Sequence, residues 1–404
     1  MKRRSSSLGL LSLAAALFAA SCATVSVPRW AANCPPALSG SAVPGAVYVP
    51  CAGPPEEILS SWSKNDGWPD GTMGVLNHAG TYTFIAANGD NHSTPDGRPR
   101  ILVGTLDHPK QKSNRSVAIG AMKERFDYVG GGPTYDVGNG TWVMIYHAER
   151  SGAGETFHSF LGMAKSTNSG ASWSDLGLII TTQTPYNASR NNSLEMGMGG
   201  FKVINDSGAD YMYVYFQDFL GNAAQRNLNA LAVARARVAD IAAAAANGTA
   251  PVFRKHCSGS VSVGRFSSTC AADGTPWGEN GLGGISDRRS PDNKEVIYPT
   301  VTFNTFTNTY VMVGSTPQED HPWPATDGVL MQSADGITWT DWRRFVREPG
   351  TVFFYPTQIG TGDDPATTGQ TFYVYYVHST TISSIGIATG PLERRLVTMQ
   401  AIQK

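Results

Sequence analysis

The feature that most constrains this chain is a short strand dense in tyrosine, valine and methionine that returns five times. The five copies are Thr81–Ala86, Thr141–Tyr146, Tyr211–Phe216, Thr309–Val313 and Thr371–Val377. They are roughly 60 to 100 residues apart, and each has a strand-like run before it and after it. A unit of three or four antiparallel strands, made five times, is how a chain builds a β-propeller. The sequence therefore predicts an all-β fold, a five-bladed β-propeller.

The composition agrees with a turn-rich β protein. With 44 Gly and 15 Tyr but only 16% charged residues, the chain lacks the composition of a disordered protein. The formal net charge of −1 gives no electrostatic reason to expect binding to nucleic acid or to an anionic membrane surface. The length of 404 residues alone would allow two or three domains, but repeats that reach almost to the end favour one closed unit.

The first 22 residues predict export from a bacterial cell. Basic residues at positions 2–4 precede the apolar stretch Leu8–Ala20, which is too short for a spanning helix with its flanks. Small residues directly before Cys22 resemble a bacterial lipobox, so we expect a lipoprotein-type signal peptide over residues 1–22 and a lipid on Cys22. Cleavage near Ala23 is the alternative, which leaves the protein periplasmic or secreted.

The rest of the chain divides into a tether and a propeller. Residues 23–57 are rich in Pro and Ala without periodicity and are expected to form a tether, and residues 58–404 are expected to form the catalytic propeller domain. The alanine-rich run Arg235–Ala246 predicts a short helix within the third blade. The predicted blades are Thr72–Leu106, Tyr128–Ile180, Gly197–Phe253, Val296–Val346 and Phe354–Thr398.

Four further cysteines follow the signal segment. In an exported chain an even number favours disulfides, and Cys34–Cys51 with Cys257–Cys270 is the simplest of the three connectivities. No pair has the C-x-x-C spacing of a zinc site.

Two turns, Ser166–Trp173 and Ser333–Trp339, resemble the Asp-box of sialidases and related propellers. In such a turn the Asp or Asn side chain ties the hairpin backbone, Gly takes a positive φ, and Trp packs between strands. The box joins the third and fourth strands of a blade on the face opposite the pocket. Asn168 and Asp335 are therefore assigned no catalytic role.

Carboxylates fall where strands reach the predicted pocket. In a propeller the innermost strand of each blade begins at the pocket face, and the second strand ends there. Asp66 and Asp70 precede the first blade, Glu149 follows His147 at the end of a second strand, and Glu195 opens the third blade. Glycoside hydrolysis needs such a pair of carboxyls, one to protonate the leaving oxygen and one to activate water or attack the sugar. Candidate sugar-binding residues at the same strand ends are Trp68, His147, Asp218, Trp277, Glu279 and His378.

Each candidate also has a structural explanation. Asp66 and Asp70 lie in a Gly-rich stretch and could only shape a turn. His147 could be a core histidine with its hydrogen bonds satisfied. Glu149 and Glu195 are harder to explain this way, because Glu is a poor turn former and a half-buried Glu needs a partner or a purpose.

No cofactor is expected. The polar loop of Asp90, His92 and Asp96 offers oxygen ligands for Ca²⁺, but it lacks the regular spacing of a calcium loop. Calcium is therefore the weaker alternative to a metal-free protein.

The pattern resembles the five-bladed propeller glycosidases, the arabinanase and β-xylosidase superfamily of inverting enzymes. The local similarity lies in a short sequence pattern of the third strands, an apolar residue and Ala followed closely by Ser, Arg or Thr. It occurs at Gly162–Ser166, Leu231–Arg235 and Ile385–Thr389. The resemblance is architectural and covers about residues 65–400. It implies glycosidase activity on a polysaccharide.

The resemblance also implies roles for individual residues. The family's base, an Asp at the start of blade one, matches Asp70 or Asp66, and its acid, a Glu at the start of blade three, matches Glu195. The family's second Asp, at the start of blade two, has no counterpart, because glycines occupy positions 130–132. Glu149 replaces this acid from the other strand end or is itself the proton donor.

The leading hypothesis is an exported, monomeric, inverting glycoside hydrolase acting on an arabinan-like furanoside or a related polysaccharide. A surface lipoprotein that binds a glycan or a protein without chemistry is the alternative from another class. A sialidase-like exo-glycosidase would need an arginine cluster and a Tyr–Glu nucleophile pair, and a lyase would need a His or Tyr base with a basic subsite. Membrane contact is expected only through the N-terminal lipid.

Overall fold

The computed structural model describes residues 47–60, 69–87, 99–151, 157–181, 186, 196–197, 199–218, 231–257, 260–263, 266–269, 279–282, 294–379 and 390–402. Within these ranges the chain is almost entirely strand and turn, with one ten-residue helix. That helix is too short to cross a membrane, and none of the described helical structure is long and apolar enough to do so.

Five sheets of four to six strands follow one another along the chain. The first two strands are β1 (Val47–Ala52) and β2 (Glu56–Leu59). Blade one contains β3 (Gly74–His78), β4 (Thr81–Ala86), β5 (Arg100–Gly104) and β6 (Ser113–Ser116). Blade two contains β7 (Ile119–Gly120), β8 (Tyr128–Asp136), β9 (Trp142–Ser151), β10 (Phe157–Ser166) and β11 (Trp173–Ile180).

Blade three is the largest sheet. Its six strands are β12 (Met196–Gly197), β13 (Phe201–Asp206), β14 (Ala209–Asp218), β15 (Leu231–Arg237), β16 (Arg254–Lys255) and β19 (Glu279–Asn280). Helix α1 (Val238–Asn247) follows β15 and lies outside the sheet. Strands β17 (Ser260–Val263) and β18 (Phe266–Thr269), which come between β16 and β19 in the chain, form a separate hairpin. Blade four contains β20 (Ile297–Asn304), β21 (Thr309–Pro317), β22 (Thr326–Ser333) and β23 (Thr340–Val346). Blade five contains β24 (Val352–Ile359), β26 (Thr371–Ser379) and β27 (Leu392–Ile402), while β25 (Thr367–Thr368) pairs with blade four.

Five hydrophobic clusters close the sheets into a ring, one at each junction between neighbouring blades. Ile85 and Tyr146 belong to the cluster between blades one and two, and Val143 with Phe216 to that between blades two and three. The next two junctions are filled around Tyr215 with Met312 and around Val313 with Phe372. Met73, Phe84, Tyr375 and Leu392 fill the last, between blades five and one. The prediction of a five-bladed β-propeller is confirmed.

The ring explains why the second strands are almost uniformly apolar. Along β9, Trp142, Met144 and Tyr146 face blade one, while Val143 and Ile145 face blade three. Successive side chains of a strand point to opposite faces, so a sheet covered on both faces needs apolar residues at every position. All five predicted second strands are present, as β4, β9, β14, β21 and β26.

The N-terminal strands β1 and β2 close the ring by joining the sheet of blade five. The C-terminal end of the predicted tether, residues 23–57, is therefore part of the propeller. β1 pairs antiparallel with β27, from Val47 opposite Ile402 to Ala52 opposite Val397, and β2 pairs with the start of the same strand. Buried Arg394 of β27 forms a two-pronged ion pair with Glu56, at 2.8 and 3.0 Å. Pro-rich composition concealed these strands, because an outermost strand donates to only one neighbour and so tolerates Pro.

The predicted helix begins three residues later than expected. Arg235–Arg237 completes β15, where Arg235 lies opposite Tyr213 and forms an ion pair with Asp206. The helix spans Val238–Asn247 and ends at Gly248, whose φ of 70° allows its N–H to bond the carbonyls of the last turn.

The two turns that resemble the Asp-box tie the hairpins β10–β11 and β22–β23. Asp335 accepts hydrogen bonds from the N–H groups of Ile337 and Thr338, at 2.8 and 2.7 Å, and from the Ser333 hydroxyl at 2.9 Å. Asn168 plays the corresponding part in blade two, accepting from Ser172 N–H at 2.9 Å. These contacts are local to the hairpins, and the assignment to the Asp-box class stays a prediction.

Cys51 and Cys257 are both disulfide-bonded. Their predicted partners, Cys34 and Cys270, lie outside the described residues, as do the signal segment and Cys22.

Candidate active site

Asp70 is placed by the turn that leads into the inner strand of blade one. Its N–H donates to the carbonyl of Ala87, the residue that directly follows β4, at 3.3 Å. Three residues later, Met73 N–H bonds the Thr357 hydroxyl of blade five at 3.0 Å. These contacts hold the turn against two strands of the ring, so the carboxylate lies at the pocket end of blade one, beside blade five.

The Asp70 carboxylate is met by side chains of two other blades. Tyr355 of blade five donates its hydroxyl to Asp70 Oδ1 at 2.8 Å. Tyr128, at the start of β8 in blade two, presents its buried hydroxyl to the same carboxylate. Burial raises the Asp70 pKa, and the charge of Glu149 adds to the rise, while the Tyr355 hydroxyl, the Tyr128 hydroxyl and the charge of His147 lower it. Carboxyls with perturbed pKa values cluster at functional sites, so Asp70 is a candidate for a functional residue.

Tyr355 reaches Asp70 from a strained backbone. Its φ is 54°, a left-handed conformation that costs a non-Gly residue on the order of 1–3 kcal/mol. Tyr298 has the same φ of 54° in blade four, and each tyrosine lies in a register shift of its inner strand. Both stand in the sequence Tyr-Pro-Thr, at 298–300 and 355–357. A bulge of this kind re-aims a side chain, here from the sheet toward the pocket.

Glu149 and His147 lie at the pocket end of β9, where the strand continues beyond the predicted Tyr146. His147 Nε2 and Glu149 Oε1 are 2.8 Å apart, and their side chains are 9% and 19% exposed. The His147 ring also contacts the Tyr128 ring, with centroids 6.2 Å apart. Among the described residues no arginine or lysine pairs with Asp70 or with Glu149. The structure thus brings Asp70, Glu149 and His147 to one place.

The glycines at the start of blade two have a steric reason. A Cβ added to Gly130 would lie 2.7 Å from the Ala87 Cβ, and one added to Gly131 would lie 2.7 Å from the Pro99 Cβ. Positions 130 and 131 have no room for a side chain, so neither can hold the acid that the resemblance implies for this blade.

His378 has a different environment from the one predicted. Its Nδ1 lies 3.0 Å from Glu393 and its Nε2 lies 3.2 Å from Glu348. Hydrogen bonds to Glu348 and Glu393 raise the His378 pKa to about 9. With both ring nitrogens facing carboxylates, this side chain forms an ion-pair network on blade five and has no free nitrogen for a sugar hydroxyl.

Of the remaining candidates, only Asp218 and Glu279 lie in the described part of the chain. Asp218 is buried at the end of β14, opposite Met196 of β12. Glu279 lies in β19, the outermost strand of blade three, opposite Lys255, and not ahead of blade four as its place in the sequence indicated. Four candidates lie outside the described residues: Asp66, Trp68, Glu195 and Trp277.

A cavity of about 490 Å³ follows the inner strands of all five blades. Met73 and Thr357 line it near the Asp70 turn, and Asp364 lines it where the inner strands end, but Asp70 itself is not among the lining residues. Buried Lys202 lies in this channel with its Nζ 2.8 Å from the Ala366 carbonyl, and burial lowers its pKa. No metal-holding group of three or more His, Cys, Asp or Glu side chains occurs in the described part of the chain.

The sequence reasoning missed the tyrosines of this site. Tyr128, Tyr298 and Tyr355 were not singled out, because tyrosine is frequent in every strand. The repeated Tyr-Pro-Thr at two inner-strand starts was the available signal, since Pro disfavours the middle of a sheet and marks a bulge.

No family model and no curated protein matches this sequence. The solved structures that resemble it include the catalytic domain of a GH62 alpha-L-arabinofuranosidase from Coprinopsis cinerea, at 12% identity and a TM-score of 0.47, over 84% of this chain and 96% of that one. An alpha-L-arabinofuranosidase from Podospora anserina, solved with cellotriose, has 8% identity and a TM-score of 0.46, over 85% and 98%. An exo-beta-1,3-galactanase from Phanerochaete chrysosporium, solved with galactose, has 9% identity and a TM-score of 0.44, over 86% and 65%. The fold assignment above rests on this chain's own sheets and clusters.

Proposed function

We propose that this protein is a glycoside hydrolase in which Asp70 is the general base. The observation that carries the proposal is the convergence of three blades on one carboxylate, with Tyr355 bonded to it at 2.8 Å and Tyr128 and Glu149 beside it. A turn-forming Asp would not need buried partners from distant parts of the chain.

In the proposed reaction Asp70 takes a proton from a water molecule as that water attacks the anomeric carbon. A second carboxyl donates its proton to the glycosidic oxygen, the C–O bond to the leaving sugar breaks, and the products are a free sugar and a shortened glycan. Because water enters opposite the leaving group, the configuration at the anomeric carbon is inverted. The base has to be ionised at the start, and the hydroxyls of Tyr355 and Tyr128 favour that form.

Glu149 and Glu195 are the two candidates for the acid. Glu149 lies close enough to Asp70 to raise its pKa, and its hydrogen bond to His147 at 2.8 Å fixes its orientation. Glu195 directly precedes β12 of blade three, where the resemblance implies the acid. The single variants Glu149→Gln and Glu195→Gln separate the two candidates. Loss of the acid slows the hydrolysis of substrates with poor leaving groups more than that of substrates with activated leaving groups, because only poor leaving groups need to be protonated.

The proposed substrate is a neutral polysaccharide with arabinofuranosyl or related linkages, reached after export and, with Cys22 acylated, from the cell envelope. The structures named above include enzymes described as arabinofuranosidases and a galactanase, and at such low identity they do not select the sugar for this chain. A sialic acid substrate would need arginine partners for its carboxylate, and the sequence has no early Arg-Ile-Pro motif of the kind that sialidases use.

The test is sugar release from a panel of arabinan, arabinoxylan and β-1,3-galactan. Wild type, Asp70→Asn and Asp335→Asn are compared, the last as a matched change in a hairpin turn away from the Asp70 cluster. Release by wild type and Asp335→Asn with a loss of at least about 100-fold in Asp70→Asn supports the proposal. Equal release by all three proteins contradicts the role of Asp70.

A non-catalytic glycan-binding lipoprotein is the second candidate, and one observation favours it. Blade two begins with glycines at 130–132, where the resemblance implies an acid, and neighbouring Cβ atoms leave no room for one at 130 or 131. The same panel decides: no release on any polymer, with the protein still retained on one of them, selects the binding protein.

A further inference from the structure

We infer that Trp323 and Tyr298 form an aromatic platform beside Asp70 that binds a second sugar unit of the substrate chain. This inference names a subsite of the proposed glycan-binding site and therefore rests on the proposed function. Neither residue belongs to the cluster that touches Asp70 directly, and neither is used in the proposed proton transfers.

A continuous series of ring contacts connects the platform to Asp70. The Trp323 and Phe354 centroids are 5.5 Å apart, Phe354 and Tyr298 are 5.3 Å apart, and Tyr298 and Tyr355 are 4.5 Å apart. Tyr355 then donates to Asp70 at 2.8 Å. Every step is a direct contact, so Tyr298 lies against the residue that bonds Asp70, and Trp323 lies farther out along the same series.

The two ends of this series differ in exposure. Phe354 and Tyr355 are 1% and 9% exposed, Tyr298 is partly exposed, and Trp323 is 42% exposed. Phe354 thus contacts both Trp323 and Tyr298 from the buried side, and the Trp323 side chain reaches the solvent. Among the exposed large hydrophobic side chains of the described residues, Trp323 is the only aromatic one.

Trp323 is held in place by its loop, which joins β21 to β22 at the pocket end of blade four. Pro322 and Pro324 flank it and restrict the backbone on both sides. Gln318 N–H bonds the Ala325 carbonyl at 2.9 Å and closes the loop at its base. An exposed tryptophan in such a fixed loop loses little conformational freedom on binding a ligand.

The chemistry of the platform fits a neutral sugar ring. Pyranose and furanose rings have apolar C–H faces that pack on aromatic rings, while their hydroxyls remain hydrated or bond to polar groups at the edge. The nearby Asp320 is paired with Arg347 by two contacts of 2.7 Å, so its charge is neutralised. The occupant is therefore a further unit of the same neutral glycan, and chains longer than one sugar should bind more tightly.

The experiment measures oligosaccharide affinity in the Asp70→Asn background, where the ligand is not consumed. Mono-, di- and trisaccharides of the retained or cleaved polymer are titrated by calorimetry into Asp70→Asn alone and with Trp323→Ala or Trp342→Ala. Trp342 is the matched control, a partly buried tryptophan of β23 in the same blade, packed against Lys294 and Arg344. We expect Trp323→Ala to weaken trisaccharide binding about tenfold, leave monosaccharide binding within about twofold, and Trp342→Ala to change neither.

The outcomes separate the platform from the proposed hydrolase. Equal trisaccharide affinity with and without Trp323, or an equal loss in both tryptophan variants, overturns the platform even if wild type releases sugar. A length-dependent loss confined to Trp323→Ala supports the platform even if wild type releases none, in which case the hydrolase fails alone. Absence of glycan binding by any of the proteins overturns both.

Discussion

Replacing Tyr355 with Phe tests the reasoning about Asp70 through a single hydroxyl. The ring stays, with its packing against Tyr298 at 4.5 Å, and only the donor 2.8 Å from Asp70 is lost. A hydrogen bond to a charged group contributes about 1.5–3 kcal/mol. At about 1.4 kcal/mol per pKa unit this corresponds to about one to two units. Because the lost bond favoured the ionised carboxylate, the Asp70 pKa rises.

The assay is the pH dependence of kcat/KM on the polysaccharide that wild type cleaves. We expect the acid limb of Tyr355→Phe to move up by about one to two pH units, with activity within about twofold of wild type on the plateau. Tyr146→Phe is the control, since Tyr146 likewise donates a hydroxyl to a buried carboxylate, Asp175, at 2.8 Å. An unmoved acid limb in Tyr355→Phe, or the same movement in Tyr146→Phe, refutes the reasoning.

Four further outcomes are expected. Asp70→Asn should raise the free energy of urea unfolding at pH 7 by about 0.5–2 kcal/mol. The reason is that a carboxyl whose pKa is raised in the folded state destabilises the fold once it is ionised. The difference between the two proteins should vanish below about pH 4, where the carboxyl is protonated in both states. Protonated His378, with its pKa raised to about 9, stabilises the fold fully below about pH 6.5, and this effect is lost as the pH rises through 9. His378→Gln should therefore lower the free energy of urea unfolding by about 1–2 kcal/mol at pH 6, a range that allows for screening by solvent, and by nearly nothing at about pH 10. Arg394→Met should lower the free energy of unfolding by about 2–4 kcal/mol, because it leaves Glu56 and Asp107 without their buried partner. Arg343→Met, which removes a partly exposed arginine 4.0 Å from Asp341, should cost less than about 1 kcal/mol. Equal losses would argue against a role of Arg394 in closing the ring. Asp335→Ala should cost about 1–2 kcal/mol of stability and leave kcat/KM unchanged, and a fall in kcat/KM would give Asp335 a role that its hairpin contacts do not explain.

The blades were predictable because their second strands carry a strong local signal. A strand covered on both faces must be apolar at every position, and five such runs at long spacing fit few folds. The same argument explains why β1 and β2 were missed. β1 and β2 lie at the outer edge of blade five, where a strand is covered less and its composition resembles a linker.

The candidate site was predictable only in part. The positions of Asp70, Glu149 and His147 at strand ends, which the repeat specifies, predicted that they lie together, and their roles stay predictions. Tyr355 was not, because it meets Asp70 across 285 positions of the chain at the junction that closes the ring. The environment of His378 was not predicted for a related reason, since its partner Glu393 comes from β27 and its partner Glu348 from the loop between β23 and β24. Contacts between distant strands leave no periodic trace in a single sequence.

The most direct test of the central claim is chemical rescue of Asp70→Ala by azide. The substrate is a nitrophenyl glycoside of whichever sugar wild type releases, so the leaving group needs little protonation. The account predicts turnover at least about 100-fold below wild type, rising with azide concentration as a glycosyl azide of inverted configuration forms in place of the free sugar. Wild-type turnover in Asp70→Ala without azide would contradict the claim that Asp70 is the base.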